Sequence, residues 1–211
     1  MAATYPNAQG RPVVLALIET IEKNKAYLSE IDGKIGDGDH GINMAKGFGL
    51  VKDRLGDKEI PLSEGLGLIG KTLMTEIGGS MGPIYGTFFI QMSLKAKGKP
   101  ETDAPIFGEM LQAARSGLED LGGATVGDKT IMDTLIPAQE AYQAAVEKGA
   151  PLPTALKQMA EAAEQGKEST RDLVAKIGRA SRLGERSRGV LDAGATSGAL
   201  ILQAFADVLS A

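Results

Sequence analysis

The sequence predicts an all-α fold, a bundle of about eight antiparallel helices with a ligand site in the loops at one rim. Three observations carry this. Apolar residues recur three and four apart along most of the chain. No stretch alternates apolar and polar residues, and no two-residue hairpin turn joins strand-like runs. The glycines, 28 of 211 residues, pool between the periodic segments. In an antiparallel bundle alternate connections share one end, so the unusual polar residues of those loops converge.

Residues 1–11 are polar, contain Pro6 and Gly10, and are read as a flexible N-terminus; residues 12–211 are read as one domain. From Pro12, tolerated in a first helical turn, the set Val13, Leu17, Ile21, Leu28 and Ile31 gives a helix ending near Gly33. Residues 33–41 hold four glycines among charges and are expected to form a tight loop. Helices follow over 41–55 (Ile42, Ala45, Phe48, Val51, Leu55) and from about 61–63 to Ile77. Residues 78–86 read as a second Gly-rich junction and 87–97 as a helix, with a buried strand the less favoured alternative. After a linker over 98–104, Pro105 opens another helix. Residues 122–130 form a third loop, and 131–148 a helix kinked by Pro137. Residues 154–177 read as one long helix, 178–196 as a polar Gly/Arg loop, and 197–209 as a closing apolar helix.

Composition excludes several functions. With no Cys, there is no disulfide scaffold, zinc–thiolate site, iron–sulfur cluster or cysteine nucleophile, which fits the cytoplasm. A net charge of −4 argues against nonspecific nucleic-acid binding. No apolar run approaches the roughly 20 residues of a membrane span. Residues 1–11 lack an apolar stretch, so no signal peptide is expected.

The strongest constellation is Asp32, Asp37 and Asp39. Three carboxylates within eight residues repel one another unless a cation lies between them, and hard oxygen ligands with a single neighbouring His favour Mg²⁺ over zinc. A solvated Asp/Gly turn would account for two of them less well than for one, and for the third less well still. An EF-hand counted from Asp37 would need an acid or amide at Gly41 and a Glu at Phe48. The helix expected from Gly41 offers free amides to an anion. A second pattern is misleading: Gly65, Gly70, Lys71 and Thr72 match a phosphate-loop motif letter for letter. The charged residues before it cannot be the buried strand that motif requires, so helix interior is expected. Residues 78–89 could bring backbone to a phosphate or simply pack two helices. Asp128, Lys129 and Thr130 stand at a helix start, and Arg182, Arg186 and Arg188 in a Gly-flanked loop could form a phosphate fork or a solvated basic surface.

Together I-G-D-G-D-H-G-I-N (35–43) with Asp32 before it, G-G-x-x-G-P-I-Y-G-T-F-F (78–89), G-D-K-T (127–130), L-G-E-R-S (183–187) and D-x-G-A-T-S (192–197) resemble the ADP-binding (L) subunit of bacterial phosphoenolpyruvate-dependent dihydroxyacetone kinase. The motifs recur in family order over residues 32–197. The resemblance implies a barrel of eight antiparallel helices with nucleotide at one rim. It implies that Asp32, Asp37 and Asp39 bind two Mg²⁺ bridging the phosphates of ADP or ATP. His40, Gly41, Ile42, Asn43, Gly79, Ser80, Gly122, Thr130, Ile131, Arg186 and the turn Asp192, Ala193, Gly194 are implied as nucleotide contacts, Arg186 with a catalytic role besides. Two departures stand out: Met81 replaces a second small hydroxyl residue, and Ala193 stands where Pro is common.

The implied chemistry is phosphoryl transfer. A phosphohistidine carrier of the phosphotransferase system recharges bound ADP, and the γ-phosphate passes to dihydroxyacetone on a separate kinase subunit. Catalysis of that kind is geometry and electrostatics, and no general base stands out in this chain. Alternatives are an ATP-exchanging kinase subunit for a related ketose or tetrose, and a nucleotide-responsive subunit that binds a transcriptional regulator.

Overall fold

The structure, a computed structural model, describes residues 4–211; residues 1–3 of the expected flexible N-terminus lie outside them. The order is β1 (Tyr5–Pro6), α1 (Gly10–Ile35), α2 (His40–Leu55), α3 (Leu62–Glu76), α4 (Met81–Ala96), β2 (Glu101–Thr102), α5 (Ala104–Gly122), α6 (Met132–Glu147), α7 (Leu152–Ser169) and α8 (Ala193–Leu209). Two 3-10 segments, Thr170–Asp172 and Arg179–Ser187, lie between α7 and α8. Each helix packs on the next in the chain, and α8 returns to α1, which closes the eight into a ring. Short connections between packed neighbours make them run in opposite directions.

Local chemistry sets several boundaries. Asp103 caps α5 by accepting from the Ile106 amide at 2.8 Å, and Gly123 ends that helix at φ 62°. Pro61 precedes α3, Pro151 precedes α7, and Asp192 caps α8. α6 carries Pro137 within it, so the Asp133 carbonyl lacks its helical donor.

The core is continuous around the ring. Phe205 lies with ring centroids 6.4 Å from Phe89 and 5.7 Å from Phe107, while Phe89 meets Phe48 edge-on at 6.0 Å. Each ring is buried, worth about 1.5–3 kcal/mol apiece against exposure. Tyr142 is buried too, and its hydroxyl donates to the Ala104 carbonyl at 2.8 Å. Removing that hydroxyl would strand a buried acceptor. Tyr142→Phe is therefore expected to lower the urea-unfolding free energy by about 1–2 kcal/mol with an unchanged m-value.

Four expectations are corrected. Residues 4–11 are tied down: Tyr5 pairs with Thr102, Pro6 with Glu101, and the Asn7 amide donates to Pro100. Arg11 donates to the carbonyls of Gly56 and Lys58. This segment thus joins the α2–α3 and α4–α5 connections at one end of the ring, and supplies the only strand pairing among the described residues. The loop expected over 33–41 shrinks to 36–39, because Ile31 and Ile35, both buried four apart, carry α1 onward past exposed Gly33. The junction expected over 78–86 is helical from Met81, and Gly70 of α3 faces Gly86 of α4 there. A Cβ on Gly70 would lie 2.9 Å from the Gly86 carbonyl oxygen, so the phosphate-loop look-alike is a helix crossing. The helix expected over 154–177 stops at Ser169, where Lys129 draws the carbonyls of Thr170 and Leu173 to its ammonium.

Candidate functional site

The connections α1–α2, α3–α4, α5–α6 and α7–α8 share the end of the ring opposite the N-terminal strand. Between them lies a cleft of about 420 Å³, within the size range of small-molecule sites. Its lining draws on all four connections: Asp32, Asp37, Asp39, His40 and Asn43 around the first, Gly78 to Met81 with Ile84 and Tyr85 at the second, Lys129 to Ile131 at the third, and Ile177 to Ala180 with Asp192 to Gly194 at the fourth.

Asp32 projects from the last turn of α1, Asp37 stands in the loop, and Asp39 is the N-cap residue of α2. One carboxylate oxygen from each lies within 4.8 Å of the others. Oδ2 of Asp32 is buried with no hydrogen-bond partner, and the Asp39 side chain makes no capping bond. Anions held this close, one of them with a buried oxygen that no donor reaches, are costly, and a hard divalent cation is what this oxygen set fits. Gly38 at φ 77° makes the turn that returns Asp39 beside Asp32. Asp37 is ion-paired with Arg179.

The α2 start places His40 and Asn43 on the cleft, while Gly41 is buried against α1 and Ile42 points outward, 53% exposed. The His40 ring lies 3.0 Å from Ser197 Oγ, which also bonds the Tyr85 hydroxyl. Burial pulls the His40 pKa down to about 4, partly offset by nearby Asp32. The ring is therefore neutral at pH 7.

Gly79 (φ 68°) and Ser80 line the cleft at the α4 start, beside the partly buried Met81 thioether and Ile84. On the α5–α6 side, Thr130 and Ile131 line it, whereas Gly122 is exposed at the end of α5 and does not. The Thr130 amide donates to Asp133 at 2.7 Å, as does the Gly127 amide at 2.6 Å. Lys129 is buried, its ammonium enclosed by backbone carbonyls, and that burial pulls its pKa down. Asp192 accepts from the Ala195 amide at 2.7 Å, and burial pushes its carboxyl up to about 7. Ala193 and Gly194 complete that wall.

The structure therefore brings together Asp32, Asp37, Asp39, His40, Asn43, Gly79, Ser80, Thr130, Ile131, Asp192, Ala193 and Gly194, and leaves Gly41, Ile42, Gly122 and Arg186 off the cleft. Arg186 is exposed on the segment above it, Arg182 likewise, and Arg188 pairs with Glu185 at 3.0 Å. The arginine that reaches the carboxylates is Arg179, which sequence reasoning did not single out. Its neighbour Gly178, at φ 75°, is the only local signal for the turn that aims it.

The profile of the DAK2 domain matches residues 34–207. The ADP-binding subunit of PEP-dependent dihydroxyacetone kinase 1 of Listeria innocua is 40% identical over 187 residues, 88% of each chain. The corresponding Escherichia coli subunit is 37% identical, covering 85% of this chain and 86% of its own. The dihydroxyacetone kinase of C. freundii, solved with AMP-PNP and Mg²⁺, superposes with a TM-score of 0.70 at 26% identity. That match covers 97% of this chain but 34% of the kinase, so this chain spans about a third of that protein. On a profile match over most of its length and this identity to subunits of its own size, the chain belongs to the DAK2 domain family, with the ADP-binding subunits of PEP-dependent dihydroxyacetone kinases.

Proposed function

We propose that this chain is the cytoplasmic nucleotide-holding subunit of a dihydroxyacetone kinase. It would retain ADP or ATP with two Mg²⁺, accept phosphate from a phosphohistidine carrier of the phosphotransferase system, and give the γ-phosphate to dihydroxyacetone on a separate subunit. The observation that carries this reading is the convergence of Asp32, Asp37 and Asp39, with a buried unpartnered oxygen, on a cleft at the start of α2. The relatives' names and the AMP-PNP and Mg²⁺ in the C. freundii structure support it.

Asp32, Asp37 and Asp39 would hold the metal ions. Mg²⁺ would supply charge neutralisation and fix the phosphate oxygens. The first amides of α2, from His40 to Ile42, and those at the α4 start near Gly79 and Ser80 are donors without helical acceptors, suited to phosphate oxygens. Thr130 and the turn Asp192–Ala193–Gly194 would hold the nucleotide from the opposite wall, where Ile131 offers an apolar surface to the base. Arg179 would supply the positive charge beside the carboxylates, the role the resemblance gives to Arg186. No group in the cleft is placed as a general base: burial pulls the His40 pKa down to about 4, which makes the ring a poor proton acceptor, and Asp192 is spent capping α8. Proton handling is therefore assigned to the acceptor subunit.

The test is nucleotide content. Protein purified in Mg²⁺ without added nucleotide, then acid-denatured, is expected to release near-stoichiometric adenine nucleotide. Incubation with a carrier charged from phosphoenolpyruvate is expected to convert bound ADP to ATP before release. Empty protein that is indifferent to the carrier would overturn the reading.

A further inference from the structure

The segment between α7 and α8 forms the roof of the cleft, and one buried side chain holds it there. Lys129 is the only non-glycine residue with positive φ (63°) among the described residues, and it is 2% exposed. Its ammonium lies within hydrogen-bond distance of four backbone carbonyls, those of Val190 at 2.6 Å, Thr170 at 2.7 Å, Ser187 at 2.8 Å and Leu173 at 3.1 Å, so that its three N–H groups are shared among the four oxygens. Two of these oxygens belong to the start of the roof and two to its end. Between them runs the stretch carrying Ile177, Gly178, Arg179 and Ala180, all on the cleft. The other ties of this segment lie mostly at its margins: the Gly189 amide to the Arg171 carbonyl, the Ala175 amide to Ser187 Oγ, the Arg188 guanidinium to the Asp172 carbonyl, the Asp192 amide to Thr170 Oγ1, and Lys176 to Asp128 through both its amide and its ammonium; in its middle only Arg179 reaches across, to Asp37.

We infer that Lys129 is a positioning residue, a tethered internal cation that clasps both ends of the 170–190 segment so that Arg179 is held over the aspartates. Of the four carbonyls only that of Thr170 has another donor, the Leu173 amide at 3.3 Å, so a neutral side chain at 129 would leave the other three acceptors unpaired. The neighbouring acids Asp192 and Asp133 act on Lys129 through their charge, so the four carbonyls are its direct partners. The backbone turn at φ 63° aims the side chain inward while Thr130 and Ile131, next in the chain, line the cleft. One side chain thereby ties the α5–α6 wall to the roof.

The consequence for ligand rests on the nucleotide reading above, and the experiment separates the two. Lys129→Ala removes the equivalent of n-propylammonium while keeping an L-residue at the strained φ, so the backbone cost is unchanged. Amide hydrogen exchange of the ligand-free variant is expected to be about tenfold or more faster across 173–190, with α3 and α4 unaffected. Exchange is expected to slow again in n-propylammonium chloride and not in tetramethylammonium chloride of equal ionic strength. ADP affinity in Mg²⁺ is expected to fall about ten- to a hundredfold, with the same selective rescue. Unchanged exchange over 173–190, or equal effects of the two amines, overturns the proposal. Should the variant not fold in buffer, its circular dichroism is the readout. Recovery with n-propylammonium alone is expected, and no recovery overturns the clasp. Absence of ADP binding by the unmodified protein would instead overturn the nucleotide reading, leaving the exchange experiment to stand by itself.

Discussion

Replacing Asp39 by Asn is expected to stabilise the ligand-free protein by about 1 kcal/mol and to weaken its binding of ADP with Mg²⁺ by about a hundredfold or more. The two signs have one cause. Oxygens of Asp32, Asp37 and Asp39 lie within 4.8 Å of one another, and two unit charges near that distance repel by about 1 kcal/mol in water and several-fold more near a protein surface. Asp39 suffers this in full from Asp32, and less from Asp37, whose charge Arg179 offsets. Against it stands the attraction of its charge to the α2 start, worth about 0.3–1 kcal/mol. Its side chain makes no capping bond that Asn would lose, so repulsion wins. Asp39 is the informative choice because Asp37→Asn would also break the pair with Arg179. Thermal unfolding in EDTA reads the first sign, and a titration with ADP in Mg²⁺ reads the second. A variant destabilised in EDTA, or one of full affinity, would contradict this explanation of the cluster.

Gly41→Ala is expected to cost about 3 kcal/mol of stability and most of the nucleotide affinity. On propensity alone, alanine in a helix gains about 1 kcal/mol over glycine. Here the new Cβ would lie 2.0 Å from the Lys25 carbonyl oxygen and 2.8 Å from the Ser29 amide nitrogen. Both are backbone atoms of α1, and neither can rotate away. α2 must shift outward, carrying Asp39 and the first-turn amides away from Asp32. Urea unfolding together with ADP titration checks it. A stabilised variant, following propensity, would show that the α1–α2 crossing yields more readily than this packing implies.

Much of the site was legible because its information is local. The carboxylates and the glycines that bend the chain around them fall within eight residues, and a repulsion argument needs only their spacing. The all-α fold was legible from periodicity, and alternate connections sharing one end followed from it. What escaped depended on contacts distant in sequence. Residues 4–11 look frayed because the partners that order them, near Gly56 and Pro100, come much later. Gly82 and Gly86 look like loop because nothing local shows that α3 must approach α4 there. The end of α7 escaped because Lys129, forty-one residues before Thr170, competes for its carbonyl. Arg179 was passed over for Arg182, Arg186 and Arg188 because four arginines in one loop look alike until the roof is folded down.

Calorimetric titration of the protein with ADP, once in Mg²⁺ and once in EDTA, tests most directly whether the three aspartates hold nucleotide through metal. Tight binding in Mg²⁺ that weakens by about a hundredfold or more in EDTA is expected, since the carboxylates then face the phosphates with no cation between them. Equal affinity in the two buffers would contradict it.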